Sequence, residues 1–383
     1  MDIDGAPACP RRSGIHGVGA LAAPPPRVLI YSASIGEGHD GPARQLAAGI
    51  VEARPGAEVE IADFLALTPV VRTIAMRGSS FHSRIGSLAF DAIFWLATYF
   101  PPTRWLIDHG TVALTARRLL RRVAASRPDV VVATYPGAAI VLGALRSRGR
   151  LPRPTVSAIT DLAALRVWAR PGIDIHLITH PESAAEVREL APASEITCVR
   201  GLTSPGFERE AEPAQARRDL GLDLERPVVV VSGGGWAVGD LEGAVGVAVA
   251  RSDASVICLC GRNEQVRERI ASRYAGEGRV RVLGFTERIS ELFAAADVVI
   301  HSTAGLTVLE ALMRGCRVIS YGWGHGHIRV NNRAFVRFGL ADVAGDPAEL
   351  GAALDRALAA PRLPDHSFAE LPDAGAVVAA LAG

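Results

Sequence analysis

The chain has 383 residues, 49% of them apolar, which is enough for two domains with full cores and excludes a disordered polymer. Lysine and arginine total 41 against 40 acidic residues, so the formal net charge of +1 gives no global reason to bind nucleic acid, and any basic surface must be local. The five cysteines (Cys9, Cys198, Cys258, Cys260, Cys316) fall mostly in apolar runs with no partners at zinc spacing, which argues for a reduced, cytoplasmic chain without a structural metal.

Residues 1–26 mix charge, glycine and a PPP run before any periodic segment, the composition of a disordered leader. Asp2 and Asp4 precede the short GVGALAA stretch and argue against a signal peptide. No run approaches the ~18 apolar residues that span a bilayer.

From Arg27 short β-rich runs alternate with helical patterns. RVLIYSA (27–33) precedes a helix from about Asp40 to Ala53; AEVEIAD (57–63), a long helical region, DVVVAT (129–134), TVSAIT (155–160), IDIHLIT (173–179) and ITCV (196–199) complete a first set. A second set follows: PVVVVSGGG (227–235), ASVICLC (254–260), RVRVLGF (279–285), DVVIHS (297–302) and CRVISYG (316–322). Near-continuous apolar strands separated by helices predict parallel sheets covered on both faces. The intervening 204–221 stretch, with two prolines and clustered charge, reads as a connection. The expected architecture is α/β: two doubly wound domains, residues 27–205 and 206–383, facing each other across a cleft.

Such sheets bind ligands at the carboxyl ends of their strands, where helix N-termini present free N–H groups. The informative residues are therefore those just after strands. Ser302, Thr303, Ala304 and Gly305 are small residues at a helix start, suited to a close approach by phosphate, with Glu310 further along that helix. Gly233, Gly234 and Gly235 form a glycine-rich turn that also occurs without any nucleotide. In SIGEGH (34–39), His39 follows Gly36 and Gly38, and an imidazole with a pKa near 6.5 suits general-base work at neutral pH. Asp161 follows the fourth strand, where it would serve as a second base or a helix cap.

Together the motifs SIGEGH (34–39), DFLALTP (63–69), ATYPGAA (133–139), ITDLAALRVW (159–168), SGGG (232–235), CGRN (260–263), VLGFTERISELFAAADVVI (282–300), TAGLTVLEAL (303–312) and the asparagine-bearing stretch before AF (331–335) resemble a known family. It is the GT-B glycosyltransferases of the monogalactosyldiacylglycerol synthase and processive diacylglycerol glucosyltransferase group, related to the peptidoglycan N-acetylglucosaminyltransferase. The resemblance runs over about residues 27–345. It implies a C-terminal domain that binds a nucleotide sugar, usually a UDP-sugar, and an N-terminal domain that holds the acceptor, with no cofactor or metal.

Carried over by position, Gly233, Gly234, Gly235, Ser302, Thr303, Ala304, Gly305, Leu306 and Thr307 would surround the diphosphate. Glu310 would bind the ribose hydroxyls, Phe285 would border the base, and Arg262 of CGRN belongs to the same donor site. Asn331 and Asn332 fall where the family contacts the donor sugar, and His39 becomes the catalytic base with Asp161 next in line.

The chain also departs from the family pattern. Leu165 replaces a histidine, Thr303-Ala304-Gly305 replaces Pro-Gly-Gly, and a GHGHIRVNN stretch (324–332) replaces Gly-Gln-Glu, so that His325 or His327 takes over sugar contacts. On the acceptor side, Trp95, Tyr99, Phe100 and Trp105 lie near Arg104, and Arg117, Arg118, Arg121 and Arg122 form a cationic helical stripe. Such a segment suits an anionic membrane surface. The expectation is an inverting, metal-independent transferase moving a hexose to a diacylglycerol-like or other hydrophobic acceptor at the inner membrane face. A UDP-sugar 2-epimerase-like enzyme and a non-catalytic nucleotide-sugar-binding protein are the alternatives.

Overall fold

The computed structural model describes residues 25–34, 37–69, 72–73, 87–362 and 367–382. The expected leader lies outside them except for Pro25 and Pro26, as does Gly36. The first sheet is built from β1 (Arg27–Ser32), β2 (Glu58–Asp63), β3 (Val130–Ala133), β4 (Thr155–Ile159), β5 (Ile175–Ile178) and β6 (Glu195–Cys198), in the order β2-β1-β3-β4-β5-β6. The second contains β7 (Val228–Ser232), β8 (Ser255–Leu259), β9 (Val280–Leu283), β10 (Val298–His301), β11 (Arg317–Tyr321) and β12 (Asp342–Ala344), in the order β12-β11-β10-β7-β8-β9. Every pairing is parallel.

The central strands are buried on both faces: Val28, Leu29, Ile30 and Tyr31 of β1 and Val228 to Val231 of β7 have almost no exposed surface. That double burial is why their sequences read as unbroken apolar runs.

Helices α1 (Glu37–Ala53), α2 (Ser87–Thr98), α3 (Pro101–Ser126), α4 (Pro136–Ser147) and α5 (Ala184–Leu190) belong to the first domain. The second has α6 (Pro213–Asp219), α7 (Leu241–Arg251), α8 (Glu264–Arg273), α9 (Ile289–Ala295), α10 (Leu306–Met313), α11 (His327–Phe338) and α12 (Pro347–Ala359), before the short α13 (Ser367–Glu370) and α14 (Ala374–Leu381). Helix α1 starts at Glu37, earlier than its sequence pattern suggests, and tolerates Pro42 inside its length. Helix α6 lies within the stretch read as a connection. Among the described residues no helix is long and apolar enough to cross a membrane.

Both sheets reverse direction next to their first strand. The chain leaves β1 for β2 and then returns to β3 on the other side; it leaves β7 for β8 and β9 and returns to β10. Crevices therefore open at the carboxyl ends of β1/β3 and of β7/β10, the topological switch points where doubly wound sheets bind ligands.

The second domain does not run unbroken to residue 383. Helix α14 crosses back onto the first domain, where Ala374, Val378 and Ala379 share a core with Val28, Ile30, Leu46 and Ile50. Asp373 caps α14 through Ala376 N–H, and Ala374 N–H donates to Arg200 O at 2.9 Å. Gly375 sits so close to the backbone of Gly49 and Ile50 that any Cβ would collide with it. Gly375→Ala should therefore cost about 1–3 kcal/mol through overpacking. Denaturant unfolding would show this as a lower midpoint, with no loss expected if α14 docks elsewhere.

Candidate functional site

His39 is the third residue of α1, just past β1. Its Nδ1 lies 3.0 Å from the carbonyl of Thr134, just past β3, so Nδ1 carries the hydrogen and donates it. Among the described residues no hydrogen-bond partner meets Nε2, which keeps its lone pair. The ring is walled by Tyr135 at 5.2 Å and Trp168 at 5.9 Å between centroids. Gly137 makes this wall possible, because a Cβ there would lie 2.6 Å from the Tyr135 ring. Burial lowers the His39 pKa below its ordinary value, more than the neighbouring Asp161 carboxylate raises it. The imidazole is thus neutral at pH 7. His327 of α11, in the second domain, lies close enough to lower the His39 pKa further.

Asp161 is no helix cap. Its Oδ2 accepts from Trp168 Nε1 at 2.8 Å and its Oδ1 faces Asn331 Nδ2 at 3.5 Å. It therefore orients the indole beside His39 and supplies a negative charge to an imidazolium.

Across the cleft, Gly234 adopts φ +67° and packs beside Thr303, the two lying at the ends of β7 and β10. A Cβ on Gly233 would lie 2.7 Å from the Ala237 backbone, so the tight turn requires glycine. Gly305, at φ +109°, is the N-cap of α10, and the space beside it is open. Ala304, Leu306 and Thr307 complete this entry, where the free N–H groups of the first turn and the positive helix end favour an anion. Ser302 is placed differently from the expectation: its hydroxyl donates to Val238 O and braces the glycine turn.

Glu310 is half-buried in this site without a hydrogen-bond or ion-pair partner among the described residues, and burial pushes its carboxyl up to about 8. An unpaired carboxyl held this way is ready to bind hydroxyl groups. Arg262 lies over the Phe285 ring, with its guanidinium carbon 3.9 Å from the centroid, and reaches Glu37 Oε1 of the first domain at 2.7 Å. Burial alone would raise the Glu37 pKa, but hydrogen bonds from Arg44 and Arg262 hold it below the ordinary carboxylate value.

The two asparagines correct the sequence reading. Asn331 and Asn332 are fully buried and face protein, not an open sugar pocket. Asn331 Oδ1 accepts from Leu162 N–H at 2.9 Å and Ala163 N–H at 3.0 Å, and its Nδ2 donates to His327 O at 2.9 Å. Asn332 Nδ2 donates to the carbonyls of Gly322 and Trp323 at 3.3 and 3.2 Å. Asn331 therefore fastens the two domains, and Asn332 fastens the turn before α11. All four arginines of the stripe are exposed, and Arg122 also pairs with Glu60 of β2 at 2.6 Å.

No local pattern marks Glu37 as the cross-cleft partner of Arg262, because the two are remote in sequence. Nor could it reveal the Thr134 carbonyl, since a backbone acceptor carries no residue signature.

Two doubly wound parallel-sheet domains facing each other at their switch points, with a glycine turn and a helix N-terminus on one side and a buried histidine on the other, have the architecture of the GT-B fold. Solved structures agree on this fold. A spinosyn rhamnosyltransferase, SpnG, superposes with a TM-score of 0.58 at 15% identity, covering 93% of this chain and 100% of that one. MurG of Acinetobacter baumannii gives 0.58 at 16% identity, covering 93% and 99%.

Within that fold, residues 42–198 match the family model of monogalactosyldiacylglycerol (MGDG) synthase, and residues 226–360 match glycosyl transferases group 1. Monogalactosyldiacylglycerol synthase 1 of Arabidopsis thaliana is 27% identical over 87% of this chain and 64% of its own length. The processive diacylglycerol beta-glucosyltransferase of Bacillus subtilis is 25% identical over 61% of this chain and 62% of its own. The chain thus spans less than two thirds of the length of these relatives.

Glu310 sets a pH dependence that needs no ligand. The folded state holds the proton up to about pH 8 while the unfolded chain releases it near 4.5, so stability from this group is lost as pH rises through that window. Glu310→Gln should match the parent in melting temperature near pH 4 and exceed it near pH 8; a constant difference would place the carboxyl in water.

Proposed function

We propose that the chain transfers a hexose from a UDP-sugar to a diacylglycerol-like or similarly hydrophobic acceptor, with inversion and without a metal, at the cytoplasmic face of a membrane. The observation that carries this reading is His39, neutral, fixed by Thr134 through Nδ1 and free at Nε2, set at one switch point while the glycine turn and the start of α10 stand at the other.

His39 Nε2 takes the proton of the acceptor hydroxyl as its oxygen attacks the anomeric carbon. The new carbon–oxygen bond forms as the bond from that carbon to the diphosphate oxygen breaks, a single displacement that inverts the centre. Asp161 stabilises the imidazolium. Charge on the departing diphosphate is met by the N–H groups of the 233–235 turn and of the first turn of α10, which require no reorganisation. Glu310 binds the ribose. Gly38, whose Cβ position is open, leaves room for substrate beside His39.

The membrane reading is supported by the outer surface of α2 and α3. Trp95, Trp105 and Leu106 are 54, 59 and 64% exposed, and Ile93, Leu96, Phe100 and Leu114 are exposed as well. On α3 the exposed Trp105, Leu106 and Ile107 lie in the first half and Arg117, Arg118 and Arg121 in the second, the three arginines on the side opposite buried Val112, Leu119 and Val123. Apolar side chains entering the bilayer boundary beside a basic stripe match an anionic surface.

His39→Ala should lower turnover with UDP-sugar and diacylglycerol by about 10²–10⁴, leaving UDP affinity nearly unchanged. Parent activity should rise through a pKa below the ordinary histidine value, because burial lowers it, and the variant should lack that limb. Full turnover in the variant would move the base elsewhere.

Converting Arg117, Arg118 and Arg121 to glutamate should abolish sedimentation with anionic vesicles, since each basic residue near such a surface contributes about 1 kcal/mol. Equal co-sedimentation of variant and parent would make the stripe an ordinary solvated face.

A further inference from the structure

The turn between β11 and α11 contains three glycines in left-handed conformations, Gly322 at φ +84°, Gly324 at +62° and Gly326 at +55°. Such a run has little stiffness of its own. It nevertheless carries His325 and leads directly into His327, beside the His39 ring. Within the second domain it is held by Asn332, as described, by Gly322 N–H donating to Ala344 O at 2.8 Å, and by Arg329 Nε donating to Gly324 O at 3.1 Å.

One first-domain side chain also holds it. Asp91, on α2, accepts the Gly326 N–H with Oδ1 at 2.8 Å, and its Oδ2 pairs with the Arg329 guanidinium and faces His325 Nδ1 at 3.8 Å. The same carboxylate thus satisfies the backbone donor at the start of α11 and neutralises a cation in that helix's first turn. Its side chain and that of Arg329 are 21 and 28% exposed, so the pair is screened less than one on the open surface.

We propose that Asp91 is a positioning residue that fixes the turn from His325 to His327 against the first domain. The donor-sugar end of the cleft is then assembled only when α2 is docked on α11. Two consequences follow. An open cleft leaves the glycine-rich turn held only by its second-domain bonds, so nucleotide can bind before the sugar pocket is complete. Helix α2 carries Ile93, Trp95 and Leu96 outward, so the element offered to the membrane is the one that completes the donor site. The sugar-pocket part of this inference rests on the donor reading given above; the pinning of the turn does not.

The test uses the full chain in two measurements. Amide exchange over residues 322–330 reads the pin directly: Asp91→Ala should speed exchange there while β10 and β11 stay protected, and Asp91→Asn, which keeps an acceptor for Gly326 but no charge for Arg329, should fall between. Equal exchange in parent and Asp91→Ala overturns the proposal. Calorimetry with UDP, UDP-glucose and UDP-galactose reads the consequence. Asp91→Ala should weaken the better UDP-sugar about 10-fold, the worth of one charge-assisted hydrogen bond, with UDP alone changed less than about twofold. Parallel loss of both ligands would reduce Asp91 to general support of the fold and overturn the positioning role. A parent that binds no UDP-sugar defeats the donor reading alone, and the exchange comparison then decides the pin.

Discussion

The carboxamide of Asn331 is the constraint on which the site depends. It is fully buried, and a buried amide must be satisfied or cost the desolvation of each unmet group. Its oxygen takes two successive backbone N–H groups, Leu162 and Ala163, from the opposite domain. Only one placement of α11 against the 161–163 segment meets both. That segment also holds Asp161, and through it Trp168 and the wall of the His39 pocket. Leu162 and Ala163 pack into the core of the second domain, so the polar bond and the apolar contact fix the same geometry.

With the domains set in this way, the two switch points face each other. The first holds the neutral imidazole of His39 and the second the glycine turn and the open start of α10. Electrostatics sharpen the division of labour. Burial keeps His39 uncharged and therefore able to accept a proton, while Glu310 is kept protonated near neutrality by the same physical cause. One low-dielectric cleft thus produces a base on one wall and an uncharged, hydrogen-bonding carboxyl on the other.

A second group of contacts ties the rim to the interior. Glu37 joins Arg262, which covers Phe285, and Asp91 joins Arg329 and the turn before α11. Both are carboxylates of the first domain reaching arginines of the second, so opening the cleft separates each pair, although Glu37 keeps Arg44. The α2–α3 pair therefore connects the outer apolar surface with the chemical centre through a single packed unit.

The sequence by itself determined the strands of both sheets except β12: the central ones because double burial demands unbroken apolar runs, and the half-buried β2, β6 and β9 because they are short β-rich runs between helical patterns. Asp342–Ala344 escaped, being three residues with one charged end. The sequence also singled out His39, the glycine turn, Gly305 and Glu310 by their order after strands, and the fold sets them past the carboxyl ends of β1, β7 and β10. The tertiary structure alone decided the rest. It turned Asn331 and Asn332 into fasteners, engaged Ser302 and Arg122 with protein partners, and carried α14 back to the first domain. It also supplied the Thr134 carbonyl, Glu37 and Asp91. The physical reason is common to all of these: a polar group's role is set by which partner satisfies it, and these partners lie on other elements, many of them on the other domain, where periodicity and local propensity carry no information.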